Sequence, residues 1–160
     1  MTSHSPLPIP DSRLFSIPTR IYWEDTDAGG VVYHAQYLAF LERARTEWLR
    51  ARGLGQEVLR HQHDLVFAVR SMTLDFLRPA RLDDLLRVTA EVRECRHASV
   101  VFAQSIERGD QTLLTAEVKV AVLAAATFRP RRLPETLYQA FRTLERPTDR
   151  QEDREPRNDG

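Results

Sequence analysis

Apolar side chains recur on two different periods along this chain, and the change of period divides it. Ile17 to Trp23 reads as a strand that runs into a polar, glycine-rich turn from Glu24 to Gly30. Tyr37, Phe40, Leu41, Ala44 and Trp48 then recur at helical spacing, with Leu38 and Leu49 widening the stripe. Gly53 and Gly55 mark the end of that helix, and Gln56 to His63 predicts a short polar helical piece. After Asp64 the period falls to two. Leu65 to Leu77 is rich in strand formers and is broken by Arg78-Pro79-Ala80-Arg81. Val88, Ala90 and Val92 alternate with Thr89 and Glu91, and Ser99 to Glu107 is apolar or small enough to be covered on both faces. Glu107-Arg108-Gly109-Asp110 turns the chain into a second alternating run, Ala116, Val118, Val120 and Val122. Pro134 to Leu144 predicts a short amphipathic helix. Strands joined by short connections pair antiparallel, and one long apolar helix needs a sheet face to cover. The expected class is α+β.

Composition narrows what such a domain does. With 160 residues, 42% hydrophobic and 29% charged, the chain has material for one domain with one core. A net charge of zero argues against a broad nucleic-acid surface, which needs an excess of Lys and Arg. The longest apolar run, Val120 to Ala126, is far short of the ~20 residues that span a bilayer. Met1 to Pro10 has no apolar core of a secretory signal, so the expected location is cytoplasmic. The single Cys95 excludes an internal disulfide and a cysteine-rich zinc site, and no metal is expected. Residues 1–12 (proline-rich) and 145–160 (charged) read as disordered ends around a folded unit at 13–144.

The turn from Asp25 to His34 holds the candidate chemistry. Two aspartates flank Thr26, two glycines follow, and a helix starts soon after. Glycines let a backbone approach a ligand closely, and a helix start offers unpaired N–H donors. That combination suits an oxyanion site with a carboxylate base or nucleophile beside it. Local chemistry alone leaves an ordinary solvated Asp-Gly turn as the commoner reading.

The wider pattern reverses that weighting. Arg20-Ile-Tyr-Trp-Glu-Asp-Thr-Asp-Ala-Gly-Gly-Val-Val-Tyr-His34, Tyr37, and Glu42-Arg-Ala-Arg-Thr-Glu-Trp-Leu49 together resemble the signature of hotdog-fold acyl-CoA thioesterases of the 4-hydroxybenzoyl-CoA type. Met72-Thr-Leu-Asp-Phe-Leu-Arg-Pro-Ala-Arg-Leu-Asp-Asp84 is similar to the YbgC branch of that family, which is associated with the Tol-Pal system. Glu117 to Val122 with Arg129 to Pro134 is a third, weaker match. The resemblance implies an antiparallel sheet wrapped on one central helix, and hydrolysis of an acyl thioester on coenzyme A or acyl carrier protein. Asp27 matches the family's catalytic carboxylate, as nucleophile or general base, and the backbone N–H of His34 matches the oxyanion donor. Tyr33, Gly30 and Tyr37 are the expected substrate-binding positions. The resemblance implies no cofactor beyond the coenzyme A of the substrate. It also implies a homodimer or a dimer-of-dimers tetramer with shared sites, and a peripheral envelope association.

Other readings stay open beside it: a dehydratase or hydratase on acyl thioesters, and a non-catalytic acyl-thioester-binding scaffold. Gln36 stands where the family commonly has Asn or Ser, and is a poorer helix cap. Glu42 with Arg45 and Arg43 with Glu47 sit at ion-pair spacing, which reads as a solvated helix face. His61 and His63 lack partners to complete a metal site, and Cys95 lacks a catalytic setting. Arg70, Arg78, Arg81, Arg129, Arg131 and Arg132 are cations that could meet coenzyme A phosphates, though most read as turn or surface charges.

Overall fold

The computed structural model describes residues 15–145; the arm expected at 1–12, and all of the tail but Glu145, lie outside them. The elements run β1 (Phe15–Arg20), α1 (Gln36–Arg50), α2 (Gln56–His63), β2 (Leu65–Phe76), β3 (Leu85–Cys95), β4 (Ser99–Arg108), β5 (Gln111–Ala124) and α3 (Glu135–Thr143). The five strands form one antiparallel sheet in the order β1-β3-β4-β5-β2. β3, β4 and β5 make a meander in the middle, while β1 and β2, consecutive in the chain, occupy opposite edges. α1 is the link between those edges.

The periodicities explain the packing. Tyr37, Phe40, Leu41, Ala44, Trp48 and Leu49 of α1 are buried against Leu86, Val88, Ala90 and Val92 of β3 and the inward residues of β4 and β5. Trp48 closes the far end of the core: it stacks on Phe141 of α3 at 5.6 Å and meets Phe102 edge-on at 5.4 Å. α1 ends where Gly53, at φ +70°, lets Leu54 N–H reach back to the Leu49 carbonyl at 3.0 Å. The opposite sheet face is polar and crossed by the ion pairs Arg87–Glu107 and Arg93–Glu117. Among the described residues, no helix is long and apolar enough to cross a membrane.

Two local expectations change. The first strand stops at Arg20 rather than Trp23, because the Asp25 carboxylate accepts the Tyr22 N–H at 2.8 Å and bends Trp23–Asp25 into a 3-10 turn. Of the charged residues read as a solvated face of α1, Glu42 and Arg43 are exposed and Glu47 is partly so, but Arg45 is not. Arg45 is buried and donates to Gln104 Oε1 of β4 at 2.9 Å, while Glu42 accepts from Thr46 and Glu47 pairs with Arg50.

Candidate active site

The segment between β1 and α1 is held by a small hairpin whose two sides meet at a bridge between Thr26 and Val32. Asp27 N–H donates to the Val31 carbonyl at 2.9 Å, and Gly30 N–H donates to the Asp27 carbonyl at 3.0 Å. Such a three-residue loop needs its last position in the left-handed region, and Gly30 supplies it at φ +78°. The loop aims the Asp27 carboxylate with its own backbone. Gly29 N–H donates to Asp27 Oδ1 at 2.8 Å, and Oδ2 has no protein partner among the described residues. A Cβ on Gly29 would lie 3.1 Å from Oδ1, close enough to crowd the carboxylate by a few tenths of an ångström. Asp27 is exposed in the single chain.

Asp25 has a different task. It is 4% exposed, and both its oxygens are engaged, Oδ2 by Tyr22 N–H and Oδ1 by Gln36 Nε2 at 2.8 Å. Gln36 therefore does not cap α1. It is the first residue of the helix, and its side chain ties that helix to the 3-10 turn through a buried carboxylate. Only the three-dimensional path of the chain makes this contact visible. Its sequence cue was limited to an uncommon residue at the helix start.

α1 begins without a side-chain cap and without an acidic residue in its first turn. Tyr33 N–H is spent on the Asp25 carbonyl and Gln36 N–H on the Tyr33 carbonyl, both at 2.9 Å. The N–H of His34, between them, donates to no acceptor among the described residues. An unspent amide at an uncapped helix start is a ready donor for an oxyanion. The Tyr33 and His34 rings lie 4.6 Å apart, and Tyr33 is half exposed.

The hairpin thus assembles Asp27, Gly30, Tyr33 and His34 within one short stretch. Tyr37 sits apart from them. It is buried, meets Phe40 and Phe76 edge-on at 6.2 and 5.9 Å, and its hydroxyl accepts the Ala80 N–H at 3.0 Å. A cavity of about 200 Å³ between α1 and the sheet is lined by Glu42, Arg45, Leu49, Phe67, Val69 and Phe102, away from the hairpin. The hairpin itself stands at the surface.

The remaining candidates have other uses. Burial and the nearby Glu145 charge push the Cys95 thiol up to about 12, which suppresses thiolate chemistry. His61 faces Glu57 across 3.0 Å at the surface, and the described residues hold no cluster suited to a metal ion. Arg131 is occupied by the carbonyls of His63 and Asp64 at 2.5 and 2.9 Å.

Comparison with known proteins bears on what such a hairpin serves. The model of the thioesterase superfamily matches residues 29–115, from Gly29 of the hairpin through most of the sheet. The acyl-CoA thioester hydrolase YbgC of Escherichia coli O6:H1 is 46% identical over 133 residues, covering 82% of this chain and 98% of that protein. The acyl-CoA thioesterase YbgC of Helicobacter pylori (strain 26695) is 35% identical over 134 residues, covering 78% and 98%. Among solved structures, a probable thioesterase from Bartonella henselae superposes with a TM-score of 0.72 at 39% identity, covering 76% of this chain and 99% of that one. The sheet with its long helix is the hotdog arrangement these proteins share. The chain belongs to the thioesterase superfamily, in its YbgC group.

Proposed function

We propose that this protein hydrolyses acyl-CoA thioesters to a free acid and coenzyme A, with Asp27 supplying the reactive carboxylate and the His34 amide receiving the developing oxyanion. One observation carries the reading: the Gly29 N–H fixes one Asp27 oxygen and leaves the other open, in the same loop that leads to the unspent His34 N–H. A thioester carbonyl bound to that N–H becomes more electrophilic as charge builds on its oxygen. Asp27 Oδ2 then attacks the carbonyl carbon, expelling thiolate and leaving a mixed anhydride that water cleaves, or it takes a proton from the attacking water. Either route returns the carboxylate and needs no cofactor beyond the coenzyme A of the substrate. Gly30 and Tyr33 flank the reacting group, and the His34 ring shapes the pocket.

The working unit we infer is a pair of chains. The reading is supported by the exposure of Asp27 in one chain and by β2, a twelve-residue edge strand that presents Val69 and Phe76 half exposed. An edge of that length calls for a partner strand.

Thiol release from short, long and aromatic acyl-CoA substrates, and from acyl carrier protein thioesters, tests the proposal. Asp27→Ala is expected to lose roughly 10²–10⁴-fold in kcat. Equal rates in the two proteins would remove Asp27 from the mechanism. A single turnover in ¹⁸O-water, followed by mass analysis of the Asp27 peptide, tests the anhydride route: label in the Asp27 carboxylate requires an anhydride opened by water at the protein's own carbonyl, whereas label in the product acid alone fits either route. Light scattering on the same preparations is expected to give a dimer or a larger even assembly, and an active monomer would overturn the shared unit.

A further inference from the structure

The catalytic hairpin has few ties of its own to the sheet. It hangs instead on the segment from Pro79 to Asp84 that leads into β3. Val32 N–H donates to the Ala80 carbonyl at 2.9 Å, and Val31 forms a bridge with Arg81. Ala80 is fully buried, and its own N–H donates to the Tyr37 hydroxyl at 3.0 Å. Tyr37 lies in the first turn of α1, three residues after His34. A single hydroxyl therefore joins the start of the helix to the strand segment that carries the Asp27 loop.

The other end of the segment is fastened as firmly. Asp84 Oδ2 accepts from the Arg81 N–H at 2.8 Å and from Arg108 Nη1 at 2.7 Å. Arg108 also reaches the Pro79 carbonyl at 3.2 Å, so one guanidinium of β4 holds both ends of the segment. Ile21 N–H donates to the Asp84 carbonyl at 2.9 Å, and Asp83 N–H donates to the Ile21 carbonyl at 3.0 Å. Burial pushes the Asp84 carboxyl up, yet the hydrogen bonds from Arg108 and Arg81, with the charges of both arginines, hold it below the usual carboxylate range.

We propose that Tyr37 is a positioning residue: through the Ala80 amide its hydroxyl sets the Asp27 loop against the His34 amide, with Arg108 and Asp84 locking the far end of the same segment. The inference rests on the hydrolytic reading above. It also reassigns Tyr37 from the substrate surface to the support behind it. A carboxylate and an oxyanion donor act on the same carbonyl, so a small error in their separation falls on the transition state more than on substrate binding.

The test combines kinetics with amide hydrogen exchange on the full-length protein. Tyr37→Phe keeps the ring and leaves the Ala80 N–H without its acceptor. It is expected to lower kcat by about tenfold or more with KM within about twofold, and to speed exchange at Val32 and Ala80 but not at Phe102 in mid-sheet. Arg108→Gln, outside the helix core, is expected to move the same readouts less, and Arg108→Lys to restore part of the loss. The double variant is expected to lose less than the product of the single losses. Glu117→Gln, on the polar sheet face, serves as the control with unchanged kcat. A raised KM with unchanged kcat in Tyr37→Phe would return Tyr37 to the substrate surface, and unchanged exchange at Val32 would overturn the positioning role. Should the wild type release thiol from no acyl-CoA, the hydrolytic reading fails, and exchange at Val32 alone decides whether Tyr37 holds the loop.

Discussion

Asp25 and Asp27 are separated by one threonine, yet the backbone gives their carboxylates opposite surroundings. Asp25 turns inward and spends both oxygens on Tyr22 and Gln36, whereas Asp27 stays at the surface with one oxygen held. The two glycines that follow act by different means, which separate variants can read. At Gly30 a Cβ meets nothing within 4 Å, but φ is +78°, so Gly30→Ala is expected to cost stability, about 1–2 kcal/mol, by the penalty on left-handed backbone. At Gly29 the Cβ would crowd the Asp27 carboxylate, so Gly29→Ala is expected to lower kcat with little change in the denaturation midpoint. Thermal melts and kinetics on both variants check the division. The reverse pattern would contradict it. The loop was legible in the sequence because its bonds join residues two to four apart. The Gln36–Asp25 contact was not, since eleven positions and a change of direction separate its partners.

At the level of elements, α1 shows where periodicity informs and where it misleads. The apolar stripe was legible: Tyr37, Phe40, Leu41, Ala44, Trp48 and Leu49 form the core as spaced, whereas Leu38, read as widening the stripe, faces outward and is exposed. Arg45 was misread because charged residues at helical spacing usually pair in solvent. The fold instead places it over the sheet, where burial lowers its pKa and the Glu42 charge works the other way. Gln104 compensates the burial: Oε1 accepts from Arg45, and Nε2 donates to the Leu41 and Thr89 carbonyls, each at 3.0 Å. One amide therefore ties α1, β3 and β4 together. Gln104→Ala is expected to destabilise the protein by about 2 kcal/mol, because it strands a buried guanidinium donor and two carbonyls. Denaturant unfolding measures it, and a loss below about 0.5 kcal/mol would show that water replaces the amide.

For the whole molecule, strand number and antiparallel pairing were legible from alternation and short connections, but strand order was not. Alternation says which face of a strand is buried and nothing about which neighbour it meets. Here β1 pairs with β3, and β2 with β5, so each edge strand crosses a long stretch of sequence to find its partner. Phe15 meets Ala90, and Leu65 meets Ala124. The β3–β4 and β4–β5 pairings, by contrast, close over short turns. That contrast sets a timetable for folding, since non-local pairs form only after the entropy of a large loop has been lost. Pulse-labelled refolding is expected to protect β4 amides before those of β1 and β2, and simultaneous protection would contradict the order. Asp27 lies between β1 and α1, the part of the chain that joins the two late edges. Refolding chains then pass through a stage with a formed meander and an Asp27 loop not yet held by Ala80 and Arg81.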